Sequence, residues 1–228
     1  QLAEAIAAMS GSTLGYLSES CNSAGASLAG ALPHRLAAGA SVGQPGQHTS
    51  EILNSSHKLL LTMGLDPQQD ISTGHALTAA GDYAAAAEHL RTAIDIKTRE
   101  HYPEHYARYG DSGTRKGPDF VIIGATKCGT TSLYEYMKDH PQVLPAIWKE
   151  IEYYRFPERG HEWYLSHFPR IPDSETRFVT GEASTCYIGM REAKPLMHEQ
   201  YPDVKLIALA RDPVDKAISH YHHDRKLG

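Results

Sequence analysis

The stretch with the clearest chemical promise is Gly124-Ala125-Thr126-Lys127-Cys128-Gly129-Thr130-Thr131. Glycines at 124 and 129 let the backbone fold so that successive N–H groups point into one concavity. A helix starting at Thr130 would add its positive N-terminal end, and together these features cradle phosphate. The Thr130, Thr131 and Ser132 hydroxyls and the Lys127 ammonium supply further donors and charge. In nucleotide kinases and ATPases the loop reads GxxxxGK[ST], with lysine directly before the hydroxyl residue. Here Thr130 takes that place and the lysine lies inside the loop, at Lys127. Kinase chemistry needs the lysine on β- and γ-phosphates and a hydroxyl on magnesium, so the displacement speaks against it. Without a ligand the stretch would be only a Gly-rich strand-to-helix turn.

The flanking elements must position this loop. Asp119–Gly124 (DFVIIG) is a nearly continuous apolar run, as expected of a buried parallel strand. Thr130–His140 follows as a helix with Leu133, Tyr136 and Met137 on one face and Pro141 stopping it. Val204–Ala210 (VKLIALA) predicts a second buried strand, and Asp212-Pro213 an N-cap and first helical residue. Val214, Ala217, Ile218 and Tyr221 would form the apolar stripe of that helix. Alternating strands and helices predict an α/β fold, P-loop-like, in three layers around a parallel central sheet. Arg211 then emerges at a strand's carboxyl end, where open α/β sheets bind ligands. Ser219 lies eight residues on, two turns into the helix, and both side chains could donate to one phosphate. Alternatively, Arg211 pairs with Asp212 or Asp215 and Ser219 faces solvent.

KCGTTSL at 127–133, with Leu209-Ala210-Arg211-Asp212-Pro213 running through Ser219-His220-Tyr221, resembles the sulfotransferases that use 3′-phosphoadenosine 5′-phosphosulfate (PAPS). The likeness spans about residues 117–228, and is greatest to the Golgi-type carbohydrate sulfotransferases, notably those of heparan sulfate, and their bacterial relatives. HPQV at 140–143, KEIEYY at 149–154, Glu162-Trp163-Tyr164, His167-Phe168-Pro169, and Gly181-Glu182 before Tyr187 carry it further. It implies that residues 127–132 hold the 5′-phosphosulfate, with Lys127 neutralising charge on the leaving group and Cys128 a tolerated small residue. Arg211 and Ser219 would anchor the 3′-phosphate, and Glu150 would be the general base; its alternative is a surface partner for Lys149. No metal is required. The family's C-terminal part would lie beyond residue 228.

Two positions depart from the heparan sulfate enzymes, which commonly carry His where Glu152 stands and Lys where Ala183 stands. Both are cations that would grip an acidic glycan, so an uncharged sugar or another alcohol is the expected acceptor. Glu152, Trp163, Tyr164 and Glu182 are the candidate acceptor-binding residues. Trp148, Trp163 and Tyr164 could stack on a sugar, although aromatics more often fill a core. His220, His222 and His223 lack the carboxylate or cysteine that would complete a metal site.

Across 228 residues the formal charge is −5, which argues against a general nucleic-acid binder. Nineteen aromatics are divided unevenly: Tyr16 and Tyr83 in residues 1–100, and the other seventeen afterwards. Residues 1–110 thus read as an Ala-rich helical or partly disordered lead, and 117–228 as the front part of a sulfotransferase domain. The lead contains a short helix at Leu2–Met9, a linker over 37–50, and a helical stretch over 51–65 ended by Gly64. Gly81-Asp82-Tyr83 followed by Ala86, Leu90, Ala93 and Ile94 resembles the turn and second helix of a tetratricopeptide repeat, at about 73–97. One Ala-rich amphipathic helix fits the same pattern. These helices could meet a protein partner. Residues 1–9 contain Glu4 and no basic n-region, unlike a signal peptide, and no apolar run reaches membrane-spanning length. Cys21, Cys128 and Cys186 make no disulfide framework, and Asn54-Ser55-Ser56 is a glycosylation sequon. The resemblance implies the Golgi lumen in a eukaryote and the cytoplasm in a bacterium. The competing functions are a P-loop kinase or NTPase, and a repeat-containing adaptor with a non-catalytic sulfotransferase-like half.

Overall fold

Asp66 begins the described part of the chain, which in this computed structural model covers residues 66–110, 112–172 and 177–227. The expectations for Leu2–Met9, 37–50, 51–65, Cys21 and the sequon lie outside these residues. The Asp66 carboxylate accepts from Gln68 N at 2.9 Å and caps α1, Pro67–Ala80, with proline in its first turn. Gly81, at φ 85°, ends that helix in the left-handed conformation glycine tolerates best. Asp82 then caps α2, Tyr83–His101, accepting from Ala85 N at 3.1 Å. The two helices form a hairpin whose close approach needs Gly74, because a Cβ there would meet Leu90 Cδ2 at 2.6 Å. Ala86, Leu90, Ala93 and Ile94 are buried, the face that their spacing of three and four predicts. A short α3, Pro103–Tyr109, follows.

Four parallel strands form the sheet: β1 (Phe120–Gly124), β2 (Val143–Pro145), β3 (Val179–Ala183) and β4 (Lys205–Ala208), in the order β2-β3-β1-β4. Phe120, Val121 and Ile122 face Gly181, Glu182 and Ala183 across one edge of β1, and Lys205, Leu206 and Ile207 across the other. Between the strands run α4 (Thr130–Lys138), α5 (His161–Leu165) and α6 (Ala193–Gln200), and α7 (Pro213–Leu227) closes the series. The buried face of α2 joins Val121, Tyr164, Phe168 and Met197 in one core, so the hairpin covers the α/β body. Buried Arg115 ties them further, donating to Asp95 at 2.6 Å.

Three local expectations change. The buried face of α4 runs through Thr130, Tyr134 and Met137, while Tyr136 is exposed. Tyr134 wins that place because its hydroxyl donates to Gly181 O at 3.0 Å and accepts from Ala146 N at 3.2 Å. The β4 strand is not buried, with Leu206 53% exposed. The α7 stripe is exposed as well, at Val214, Ile218 and Tyr221. β4 is one of the sheet's two edge strands, and among the described residues its Leu206 and the α7 stripe stay exposed. Asp212 does cap α7, accepting from Val214 N at 2.9 Å and Asp215 N at 3.1 Å.

Candidate active site

Beyond the carboxyl end of β1 the chain stays tied to the residues after β4. Leu209 N donates to Gly124 O at 2.7 Å and Ala125 N to Leu209 O at 3.0 Å. This pairing brings Arg211 beside the loop, where its Nη1 donates to the Lys127 carbonyl at 3.4 Å. Gly124 adopts φ 140°, and a Cβ there would meet Thr185 O at 2.8 Å; Gly129 adopts φ 86° at the start of α4. Lys127 is also left-handed, at φ 67°, a conformation that costs a non-glycine residue about 1 kcal/mol or more. Such strain tends to collect at functional sites.

Around this loop is a cleft of about 300 Å³. It brings together Lys127, Gly129, Thr130, Thr131, Glu150, Arg211 and Ser219, residues whose numbers span almost a hundred positions. Arg211 makes no ion pair with Asp212 or Asp215, and its Nε is buried without a hydrogen-bond partner among the described residues. Lys127 has no carboxylate partner there either. An anion in the cleft would satisfy both cations. Thr126, Lys149, Thr185 and His223 complete the lining. Sequence reasoning passed over Thr126 and Thr185; the clue was a second hydroxyl residue immediately after the strand that carries Glu182. Cys128 is buried, with its thiol 3.8 Å from Thr126 O, and Ser132 is exposed on α4; neither lines the cleft.

Glu150 sits in a left-handed turn at φ 60°, held by its own N–H donating to Ala183 O at 2.8 Å. Its carboxylate is ion-paired with Lys149 and accepts from Thr185 N at 2.9 Å. The Thr185 hydroxyl stands 3.4 Å from Oε1 and 3.5 Å from Oε2, and accepts from Thr126 Oγ1 at 3.1 Å. The two readings of Glu150 are therefore compatible: it partners Lys149 and also faces the cleft. A carboxylate has about four lone-pair sites, so these contacts leave capacity for an incoming proton.

The other expected acceptor-binding residues do not reach the cleft. Glu182 is fully buried; it accepts from Tyr164 Oη at 2.7 Å, Ser184 Oγ at 2.6 Å and Tyr187 Oη at 3.3 Å. Burial pushes its carboxyl up to about 7, against the pull of those three donors. Tyr164 stacks on Tyr153 at 4.4 Å, and buried Trp163 donates to Thr78 Oγ1 of the hairpin at 2.9 Å. Their aromatic surface thus goes to the core that the hairpin covers. Glu152 is half-buried in a second left-handed position, φ 55°, and pairs with Arg155 at 3.1 Å. Its N–H donates to Ser184 Oγ at 3.1 Å. His220 lies 3.7 Å from Asp224 and does not line the cleft.

Comparison with known proteins supplies the context for this geometry. The family profile described as "Sulfotransferase domain" matches residues 117–228. "Membrane-associated sulfotransferase kil1" of Dictyostelium discoideum is 39% identical over 106 residues, 46% of this chain and 22% of that protein. "Heparan sulfate glucosamine 3-O-sulfotransferase 6" of Homo sapiens is 40% identical over 110 residues, 48% of this chain and 31% of that protein. The chain thus spans under a third of the length of either. A solved sulfotransferase from Alicyclobacillus acidocaldarius is 30% identical, with TM-score 0.42, covering 48% of this chain and 50% of that one. Among the described residues no helix is long and apolar enough to cross a membrane.

Proposed function

Residues 117–228 belong to the sulfotransferase family, and from that premise we propose that the chain transfers a sulfuryl group from PAPS to a hydroxyl, or an amine, of a carbohydrate or other small acceptor. The observation that carries the reading is the convergence of Lys127, Arg211 and Ser219 in one cleft with Glu150, the single carboxylate among its described lining residues. PAPS has two anionic ends, and the cleft offers two cationic places. The loop N–H groups, the Thr130 and Thr131 hydroxyls and Lys127 would take the 5′ end, at the start of α4. Arg211, whose Nε is buried and unpartnered, would take the 3′-phosphate together with Ser219. When bound, PAPS supplies an activated sulfuryl group attached to a good leaving group.

Each residue then has a separate role. Glu150 accepts the proton from the acceptor hydroxyl as its oxygen bonds to sulfur. Lys127 offsets the charge that gathers on the 5′-phosphate oxygen as the old sulfur–oxygen bond breaks. Lys149 and the Thr185 N–H fix the Glu150 carboxylate where the acceptor must approach, which lowers the entropic part of the barrier. Carbohydrate is the favoured acceptor class because the heparan sulfate relatives act on a carbohydrate by name.

Titration with 3′-phosphoadenosine 5′-phosphate (PAP) tests the donor site. Magnesium-free binding is expected, weakened at least tenfold in Lys127→Ala and in Arg211→Ala. Magnesium-dependent ATP binding with no affinity for PAP would overturn the proposal in favour of a kinase-like protein. Binding of neither nucleotide would favour an adaptor.

A further inference from the structure

A second cavity, of about 460 Å³, opens between the helical hairpin and the α/β body. One wall is Ile94, Lys97 and His101 of α2; the opposite wall is Tyr134 and Lys138 of α4. Leu144–Ile147 supply apolar surface, and Trp148 and Lys149 follow directly along the chain. Lys149 lines this cavity and the donor cleft alike, so the residue ion-paired with Glu150 is a wall the two spaces share. The volume falls in the range that small-molecule sites occupy.

Charge distinguishes the three lysines around it. Lys138 is ion-paired with Glu135 at 2.8 Å, and Lys149 with Glu150. Lys97 has no ion-pair partner among the described residues, although it is half-buried. Burial and the nearby Lys138 both hold its ammonium below the ordinary lysine range, and Glu100 offsets this only partly. Asp139 also lines the cavity, but it is exposed and pairs with none of the three. A partly desolvated cation without a counter-ion is costly by itself and favours an anionic ligand. Trp148 is held in place, stacked on His75 at 4.3 Å and edge-on to His167 at 4.6 Å.

We propose that this cavity is the acceptor pocket and that it takes a small molecule with a sugar or aromatic ring and one carboxylate, the carboxylate on Lys97 and the ring beside Trp148. The inference rests on the sulfotransferase reading for the use of the bound molecule, not for its binding. Such an acceptor would reach the donor cleft past Lys149. The hairpin thereby gains a part in specificity. Lys97 and His101 lie outside residues 117–228, so the wall that selects the acceptor is not part of the matched domain. This replaces the expectation of an uncharged acceptor, drawn from Glu152 and Ala183, with one of an acceptor that carries a single anionic group.

Calorimetric titration of the full chain, with and without PAP, compares phenyl β-D-glucuronide with phenyl β-D-glucoside, which lacks the carboxylate. The glucuronide is expected to bind about tenfold tighter or more, the worth of one charge-assisted hydrogen bond. Lys97→Met, which keeps most of the stem, should abolish that preference; Lys97→Arg should retain it. PAP affinity should be unchanged in both variants, which also reports that they are folded. Equal binding of the two glycosides, binding of neither, or a preference that survives Lys97→Met would overturn the proposal. Loss of PAP binding in the unaltered chain would instead sink the donor site, and the titration without PAP would still decide this pocket.

Discussion

Glu150 and Glu182 are neighbours through the backbone yet live in opposite surroundings. Glu150 N binds the carbonyl of Ala183, and Glu152 N binds the hydroxyl of Ser184, so the turn around Glu150 is tied to the end of β3 that Glu182 occupies. Glu150 keeps a lysine, a backbone N–H and an open cleft. Glu182 has no cation and no solvent, only three hydroxyl donors. The same side chain is therefore open to a cleft in one case and sealed into the scaffold in the other. Partners and access decide the role, and residue type does not. Tyr164 and Tyr187, which bind Glu182, also pack in the core that the hairpin covers.

The comparison can be broken most directly at Glu150. On the proposed sulfuryl transfer, Glu150→Gln should cut turnover by about 10²- to 10⁴-fold, the usual worth of a general base. Its thermal midpoint should hardly move, because the residue is half-exposed. Near-normal turnover in Glu150→Gln would assign the proton to another group. Glu182→Ala should show the reverse emphasis. Three buried hydroxyls lose their acceptor at once, at roughly 1–3 kcal/mol for an unsatisfied group, so a denaturant midpoint should fall clearly. An unchanged midpoint would mean that the cluster contributes little to the scaffold.

Proton linkage sharpens the contrast. The Glu182 carboxyl is raised from 4.5 to about 7 on folding, so between those values the folded chain holds a proton the unfolded chain has lost. Stability attributable to Glu182 therefore falls as pH rises through that window and is flat above it. Buried His167 runs the other way: burial lowers it from 6.5 to about 3, so its contribution rises with pH between those values. From about 4.5 to 6.5 the two trends oppose each other. Glu182→Gln removes only the falling one, and its melting temperature should climb with pH across that window more steeply than the parent's. Parallel curves would show that Glu182 does not change protonation on folding.

The loop and the Arg211–Ser219 segment of the cleft were legible because each is a short run that obeys local rules, although the two lie far apart in sequence. A glycine pair, a strand before it and a helix after it announce a phosphate loop; Asp212-Pro213 announces the helix that carries Ser219. Lys149 was legible as a partner for Glu150. The burial of Trp163, Tyr164 and Glu182 was not, because they carry the types that both a sugar site and an aromatic core use. Only burial separates the two, and burial depends on the hairpin. The apolar spacing of α2 was visible, but nothing in it says which surface it will cover. The exposure of Leu206 and Ile218 was hidden for the same reason: an apolar stripe states a preference for burial and does not supply the covering element.

The smallest expected effect separates the backbone from the side chain at Thr185. Its N–H donates to Glu150 Oε2 at 2.9 Å, whereas its hydroxyl is 3.4–3.5 Å from the carboxylate oxygens. Hydrogen bonds weaken towards the long end of that range, so the N–H should carry most of the orientation. Thr185→Ala keeps the N–H and removes the hydroxyl, together with the acceptor for Thr126 Oγ1. Turnover should therefore fall by about threefold or less, corresponding to a weak neutral hydrogen bond. The Michaelis constant for PAPS should shift as little. A tenfold or larger loss in Thr185→Ala would mean that the hydroxyl, relayed from Thr126, positions the Glu150 carboxylate, and that its surroundings are closer in kind to the hydroxyl-bound Glu182 than its ion pair suggests.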